Sequence, residues 1–229
     1  MKKIRREPVI RWDDIDQPLQ HRAALNFRKA ADYRVMRMVK HPGLSEFHSR
    51  AEFWHAALAE ADPSVIAYVP QPFRLRLGHA RYTPDCYVRY GDRQIVLEIK
   101  PEKHIATVEK IALNRFFSTV GMGFDVISNE AIEARAVEAE NWLNIVRTLT
   151  LAKHVDTRST ESKILKQAPI IGEEGALLHE LVTVTADEQQ WYECVAIYRL
   201  IHRGILAAEL TDEPLNWGTR VYHGQNYLA

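Results

Sequence analysis

The sequence predicts an α/β (α+β) chain in which a mixed sheet flanked by helices is followed by a smaller module of two helices and a β-hairpin. Three observations carry this prediction. Short apolar runs of strand type alternate with longer stretches of helical periodicity between residues 41 and 149. Gly91-Asp92 separates two strand-like runs, as a two-residue hairpin turn requires. After a polar stretch containing Pro169 and Gly172, the pattern becomes helix, helix, strand, strand. The 229 residues accordingly divide into a basic N-terminal arm (1–40), a central domain (41–149), a linker (150–172) and a C-terminal domain (173–229).

In the arm, residues 1–40 hold eleven Lys/Arg against five Asp/Glu, while residues 150–229 hold seven against eleven, so the net charge of zero hides a polar distribution. Lys2, Lys3, Arg5 and Arg6, continuing to Arg28, Lys29, Arg34, Arg37 and Lys40, could track a phosphate backbone or form a solvated tail. Residues 45–62 read as a helix with Phe47, Phe53, Trp54, Leu58 and Ala61 on its apolar side; Ser45 or Ser49 caps it and Pro63 ends it. Glu52 lies beside that stripe, either as a solvated helical carboxylate or as an acid directed toward the hairpin around Gly91-Asp92. Residues 65–77 read as a strand bent between Pro70 and Pro72. Residues 106–120 form a helix with Val108, Ile111, Ala112, Phe116 and Phe117 inward, residues 124–127 a strand, and residues 132–149 a helix. Beyond the linker, residues 175–183 read as a short helix and residues 187–203 as a longer one, with Trp191, Val195, Tyr198 and Leu200 or Ile201 on its apolar side and Gly204 as C-cap. Strands at 205–210 and 217–222 close a winged-helix order. With only Arg199 and Arg203 on the recognition-like helix and a net acidic module, protein docking is expected over DNA reading.

The centre of the chain is RYTPDCYVRYGDRQIVLEIKP, residues 81–101. A type II′ turn at Gly91-Asp92 pairs Tyr90 with Arg93. Counting back sets Asp85 opposite Glu98 and Thr83 opposite Lys100, with Asp85, Glu98 and Lys100 on one face. Directly opposed carboxylates repel, so such a pair is either solvated or given a cation, and oxygen ligands suit Mg²⁺, with Mn²⁺ as a substitute. The bland reading is a turn aspartate beside a strand-edge Glu/Lys pair. The apolar strand Ile95-Val96-Leu97 and the upstream helical Glu52 make the set that of a restriction-endonuclease-like core.

Several chemistries are excluded by pattern: there is no GxxxxGK[ST], GxGxxG, HExxH or GxSxG. His104 is a lone histidine beyond Lys100. Cys86 and Cys194 lack CxxC spacing, which fits a reduced, cytoplasmic chain without structural zinc. No eighteen-residue apolar run and no signal-peptide h-region appear, so no membrane association is expected.

Glu52 on a helix, QPF at 71–73, RYTPDCYV and LEIKP, in this order, resemble the TnsA-type endonuclease subunit of heteromeric cut-and-paste transposons, including the CRISPR-associated kind. The likeness covers about residues 45–130 through motifs and extends loosely to the C-terminus. Cys86 departs from the aromatic residue that commonly follows the aspartate, and Glu98 stands where members use glutamate or glutamine. The resemblance implies cleavage of the non-transferred strand at the 5′ ends of the element in a bacterial, nucleoid-associated setting. The implied partners are double-stranded transposon-end DNA, a DDE-type transposase and an AAA+ regulator docked on the C-terminal domain. Carried over by position, Asp85 and Glu98 would hold the divalent metal, Glu52 would complete the acidic set, Lys100 would orient water, and Gln71 would support them. A stand-alone restriction or repair nuclease and a DNA-bound adaptor with a dead site are the rival readings.

Overall fold

The computed structural model describes residues 8–13, 17–21, 32–102, 107–167, 171, 174–183 and 188–224. The chain is mixed α/β, with a mixed sheet and helices and, among the described residues, no barrel. It forms two compact units. One contains the described residues up to Ala59 together with Ser64–Ala134; the other contains Glu60–Pro63 and the described residues from Arg135 onward.

In the first unit, helix α1 (Arg50–Ala61) precedes strand β4 (Val65–Pro70). Strands β7 (Cys86–Tyr90) and β8 (Gln94–Lys100) form a hairpin, helix α2 (Thr107–Ser118) crosses over, and β9 (Gly123–Ser128) follows. The sheet order is β4-β7-β8-β9, antiparallel until β9 joins β8 in parallel. The parallel step requires a crossover, and α2 supplies it. Phe73, Leu75, Tyr87, Val96, Leu113, Phe117 and Phe124 form the core, with Phe117 stacked on Phe124 at 5.8 Å. The expected inward stripe of α2 is rotated. Ile111 is exposed and Leu113 is buried, because the helix turns Ala112, Leu113 and Phe117 toward the core.

Short strands add what sequence periodicity did not separate. Strand β3 (Leu44–Phe47) pairs with β2 (Arg34–Arg37), so α1 starts at Arg50 and Phe47 is a strand residue. The predicted strand at 65–77 breaks at Pro70-Gln71-Pro72, where Gln71 takes φ 42°. Beyond the break, β5 (Leu75–Leu77) leaves for a second sheet with β1 (Ile10–Trp12) and β6 (Ala80–Tyr82), in the order β1-β5-β6. Two segments of the expected arm are therefore strands. Trp12 anchors β1 through ring contacts with Phe73 at 5.2 Å and Phe116 at 5.0 Å. Lys2, Lys3, Arg5, Arg6, Arg28 and Lys29 lie outside the described residues.

The helix predicted at 132–149 is two helices, α3 (Asn129–Glu133) and α4 (Ala136–Leu151), and the unit boundary falls between them, at Ala134/Arg135. Helix α4 is kept by the second unit because it buries Trp142, Leu143, Ile145, Val146 and Leu149. Its Asn141 Nδ2 donates to the carbonyls of Leu210 (2.9 Å) and Glu213 (2.8 Å), and its Oδ1 accepts from Leu215 N–H (2.8 Å). The expected linker carries α5 (Arg158–Gln167), which packs on α6 (Glu188–His202). The helix expected at 175–183 is strand β10 (Ala176–Leu177) followed by a 3₁₀ turn at Leu178–Glu180. Strands β11 (Leu206–Ala208) and β12 (Arg220–His223) complete an antiparallel sheet of order β10-β12-β11. Gly204 ends α6 with φ 70°, the C-cap geometry its sequence position implied. No described helix is long and apolar enough to cross a membrane.

Candidate metal centre

The β7–β8 hairpin keeps the register counted from the turn. Cys86 pairs with Leu97, Tyr87 with Val96, Val88 with Ile95 and Arg89 with Gln94, and Tyr90 N–H donates to Arg93 O at 2.9 Å. Gly91 does not take the positive φ that type II′ demands, so the turn type differs while the register stands. The ladder ends at Pro84, which has no N–H to give. Asp85 then replaces a ladder partner with its side chain: Oδ2 accepts Ile99 N–H at 2.6 Å, and its own N–H reaches Leu97 O at 3.1 Å. Thr83 does not pair with Lys100, because the preceding segment diverges into β6, which pairs with β5.

Four of the side chains singled out by the sequence pattern belong to one connected cluster. Glu98 is 6% exposed; its Oε1 lies 2.8 Å from Lys100 Nζ, and its Oε2 accepts from the Tyr82 hydroxyl. Asp85 is pushed well above the usual carboxylate range by burial, then by the charges of Glu98 and Glu52. Glu52 is raised first by burial, against hydrogen bonds from His48 N–H and Ser49, and Glu98 adds to the rise. Three carboxylates that feel one another in a poorly solvated place are the like-charge situation that a cation relieves.

Glu52 reaches this place from the first turn of α1. Ser49 Oγ accepts Glu52 N–H at 3.2 Å and donates to Glu52 Oε1 at 3.0 Å, while His48 N–H donates to Oε2 at 3.1 Å. Ser-x-x-Glu is a capping-box signature, so Glu52 also has a local task at the helix start. Gln71 ties the groups together. Its Nε2 donates to Glu52 Oε2 at 2.5 Å, its N–H donates to Asp85 O at 2.9 Å, and its Oε1 accepts from Gln20 Nε2 at 3.1 Å. A non-glycine residue at φ 42° is held there by its surroundings, and these bonds hold it. Gln20 is fixed in turn by Glu46, whose C=O accepts from Nε2 at 2.6 Å and whose N–H donates to Oε1 at 3.3 Å.

Tyr82 and Gln20 carry no signal in the sequence. Strand β6 is three residues long and Gln20 stands in a polar stretch, so neither lies in a periodic pattern. Burial and Glu98 push the Tyr82 hydroxyl up, so it stays a donor. The Cys86 thiol is buried and pushed up, which makes it an inert packing group beside Asp85. His104 lies outside the described residues.

The donor chemistry fits a hard divalent cation: three carboxylates with a lysine at their edge. In the present arrangement each carboxylate is already engaged by protein groups. Among the described residues no three His, Cys, Asp or Glu side chains converge as a metal shell would. Glu98 is engaged by Lys100 and Tyr82, and Glu52 by the α1 start and Gln71. Compared with known proteins, the chain matches no family model and no curated protein.

Proposed function

We propose that this chain is a Mg²⁺-dependent DNA endonuclease subunit of a transposase, cutting the non-transferred strand at the 5′ ends of a transposon. The observation that carries the reading is geometric: Gln71 bridges the Glu52 carboxylate and the Asp85 backbone, Asp85 Oδ2 accepts the N–H of Ile99 beside Glu98, and Lys100 Nζ lies 2.8 Å from Glu98 Oε1. The succession of α1, antiparallel β4, β7 and β8, crossover α2 and parallel β9 supports a restriction-endonuclease-like core. The β10, α6, β11 and β12 arrangement supports a winged-helix-like second domain. There, Arg199 is spent inside the unit on the carbonyls of Ala152 (2.9 Å) and Val155 (2.8 Å), and Arg203 on Glu161. Trp191 and Tyr192 are instead exposed on α6, which favours docking of a protein such as an AAA+ regulator over base reading.

In this reading Asp85 and Glu98 hold Mg²⁺ or Mn²⁺, and Glu52 completes the acidic set. The bound ion would stabilise charge on the phosphate oxygens and acidify a water. Lys100 contributes positive potential at the scissile phosphate and orients the attacking water. Gln71 keeps Glu52 directed inward, and Tyr82 does the same for Glu98.

A second reading, the DNA-bound adaptor with a dead site, is favoured by the protein groups that already engage Glu52 and Glu98, the capping role of Glu52 among them. Excision with the DDE-type transposase partner separates the two. The endonuclease reading expects Mg²⁺-dependent double-strand excision by the wild type. Asp85→Ala should leave only single-strand transfer, and Lys100→Ala should slow cutting by about 10²–10³-fold. Normal excision by both variants would assign the cut to another protein.

A further inference from the structure

Each strand of the β1–β5–β6 sheet is three residues long with arginine in the middle: Ile10-Arg11-Trp12, Leu75-Arg76-Leu77 and Ala80-Arg81-Tyr82. Successive side chains point to opposite faces. Ile10, Trp12, Leu75, Leu77 and Tyr82 pack with the core, so the three arginines share the outer face. The register makes them a row, since Arg11 is the partner of Arg76 and Arg76 the partner of Arg81. Neighbouring strands are about 4.8 Å apart, and like charges directly opposed weaken a sheet. Arg74, two residues before Arg76, is exposed, and its charge acts on Asp13 together with those of Arg76 and Arg81. Asp13 partly offsets them, with Oδ1 2.6 Å from Arg76 Nε and Oδ2 3.7 Å from Arg81 Nε. The side chains of Arg76 and Arg81 remain 42% and 83% exposed.

We propose that the Arg11–Arg76–Arg81 row, with Arg74 beside it, is a docking surface for the phosphate backbone of duplex DNA. The inference rests on the endonuclease reading for its substrate and adds the surface that seats it. Every outward strand position on this face is a guanidinium, whose planar fork suits phosphate oxygens. A protein partner would want apolar side chains among them, and the strands send theirs to the other face. The row is an evenly spaced line of cations, which matches a line of anions better than a single small one. It also adjoins the candidate centre in sequence, for Tyr82, which donates to Glu98, follows Arg81 directly.

Fluorescence anisotropy on a labelled duplex of arbitrary sequence, in EDTA so that nothing is cut, tests the proposal. Each phosphate contact contributes about 0.9 to the slope of log K against log salt, equivalent to about 3.5-fold in affinity between 50 and 200 mM. Arg81→Ala should lower the slope by about 0.9, and the triple Arg11→Ala, Arg76→Ala, Arg81→Ala variant by about 2.7. The loss should be the same on unrelated duplex sequences. Asp13→Asn, which releases two guanidinium groups, should tighten binding, a change of sign that a purely structural role would not give. Arg158→Ala, in the second unit, should leave the slope alone. Wild-type slopes in the Arg81 and triple variants would overturn the proposal. So would failure of the wild-type chain to bind duplex while it binds polyglutamate through the row, which would assign the face to an acidic protein. Arginine-dependent DNA binding without any Mg²⁺-dependent excision in the presence of the DDE-type transposase would support the row and sink the endonuclease reading.

Discussion

Asp85 is where single-residue physics is most exposed to test. The residue is half-buried with its carboxyl inward; the carboxyl takes one backbone hydrogen bond at 2.6 Å from Ile99 and is held protonated well above the usual range by burial and by Glu98 and Glu52. In the unfolded chain the same group loses its proton near about pH 3.9. Above that pH the unfolded state has released a proton that the folded state still binds, so Asp85 makes stability fall as pH rises. The fall continues until the raised folded pKa is passed, and the full penalty remains beyond it. Asp85→Asn removes this titration and keeps the shape. The variant should therefore melt above the wild type in metal-free buffer at pH 7, by about 2–4 °C for each kcal/mol relieved. Melting curves taken from pH 4 to pH 8 should show the gap widening with pH; a gap that stays constant or narrows would refute the account. Mg²⁺ should then raise the wild type and leave the variant where it is, because only the ionised carboxylate binds the ion.

Among the elements, the hairpin was legible and the short strands were not. The register of β7 on β8 follows from a two-residue turn and a period of two, and it needed no tertiary information. Strands β1, β5 and β6 are three residues each, too short for periodicity, and their pairing joins residue 10 to residue 77. The Arg row was therefore invisible as a row, although each Arg between apolar residues was present in the sequence. Helix α1 was legible from its Ser49 cap to its end before Pro63, whereas the start expected at residue 45 is strand β3. The burial of Glu52 was not legible, because it depends on Gln71, a residue 19 positions away that is bent to φ 42°. The compact units divide at Ala134/Arg135 and not after residue 149 for a similar reason: α4 has an apolar face, and its contacts with α6 and those of Asn141 show which unit that face serves. Asn141→Leu should strand the buried carbonyl of Leu210 and the part-buried Glu213 carbonyl and Leu215 N–H, costing about 1–3 kcal/mol. Urea unfolding followed by the fluorescence of Trp142, a neighbour on α4, reads this loss. A change below about 0.5 kcal/mol would mean that water satisfies these groups instead.

At the scale of the whole chain, the second unit is discontinuous. It takes Glu60–Pro63 from the end of α1 and the start of the next turn, and everything else from Arg135 onward. Glu60 is fully buried, with Oε2 2.7 Å from Nε2 of His202 on α6, and His202 also lies 6.2 Å from the Trp142 ring. No single cut can leave both units whole. A fragment of residues 1–149 would carry α4 with Trp142, Leu143, Ile145, Val146 and Leu149 uncovered and Asn141 deprived of residues 210–215. Such an apolar helix face in water is an aggregation liability. A fragment of residues 135–229 would keep α4 and its partners but leave His202 without Glu60. The 135–229 fragment should therefore be the more soluble and cooperative of the two, yet less stable than the same unit in the full chain. Adding residues 60–63 back as a covalent extension should recover part of the difference. Thermal melts and gel filtration of the two fragments test this directly. Cooperative, monomeric folding of residues 1–149 alone would show that α4 belongs to the first unit after all.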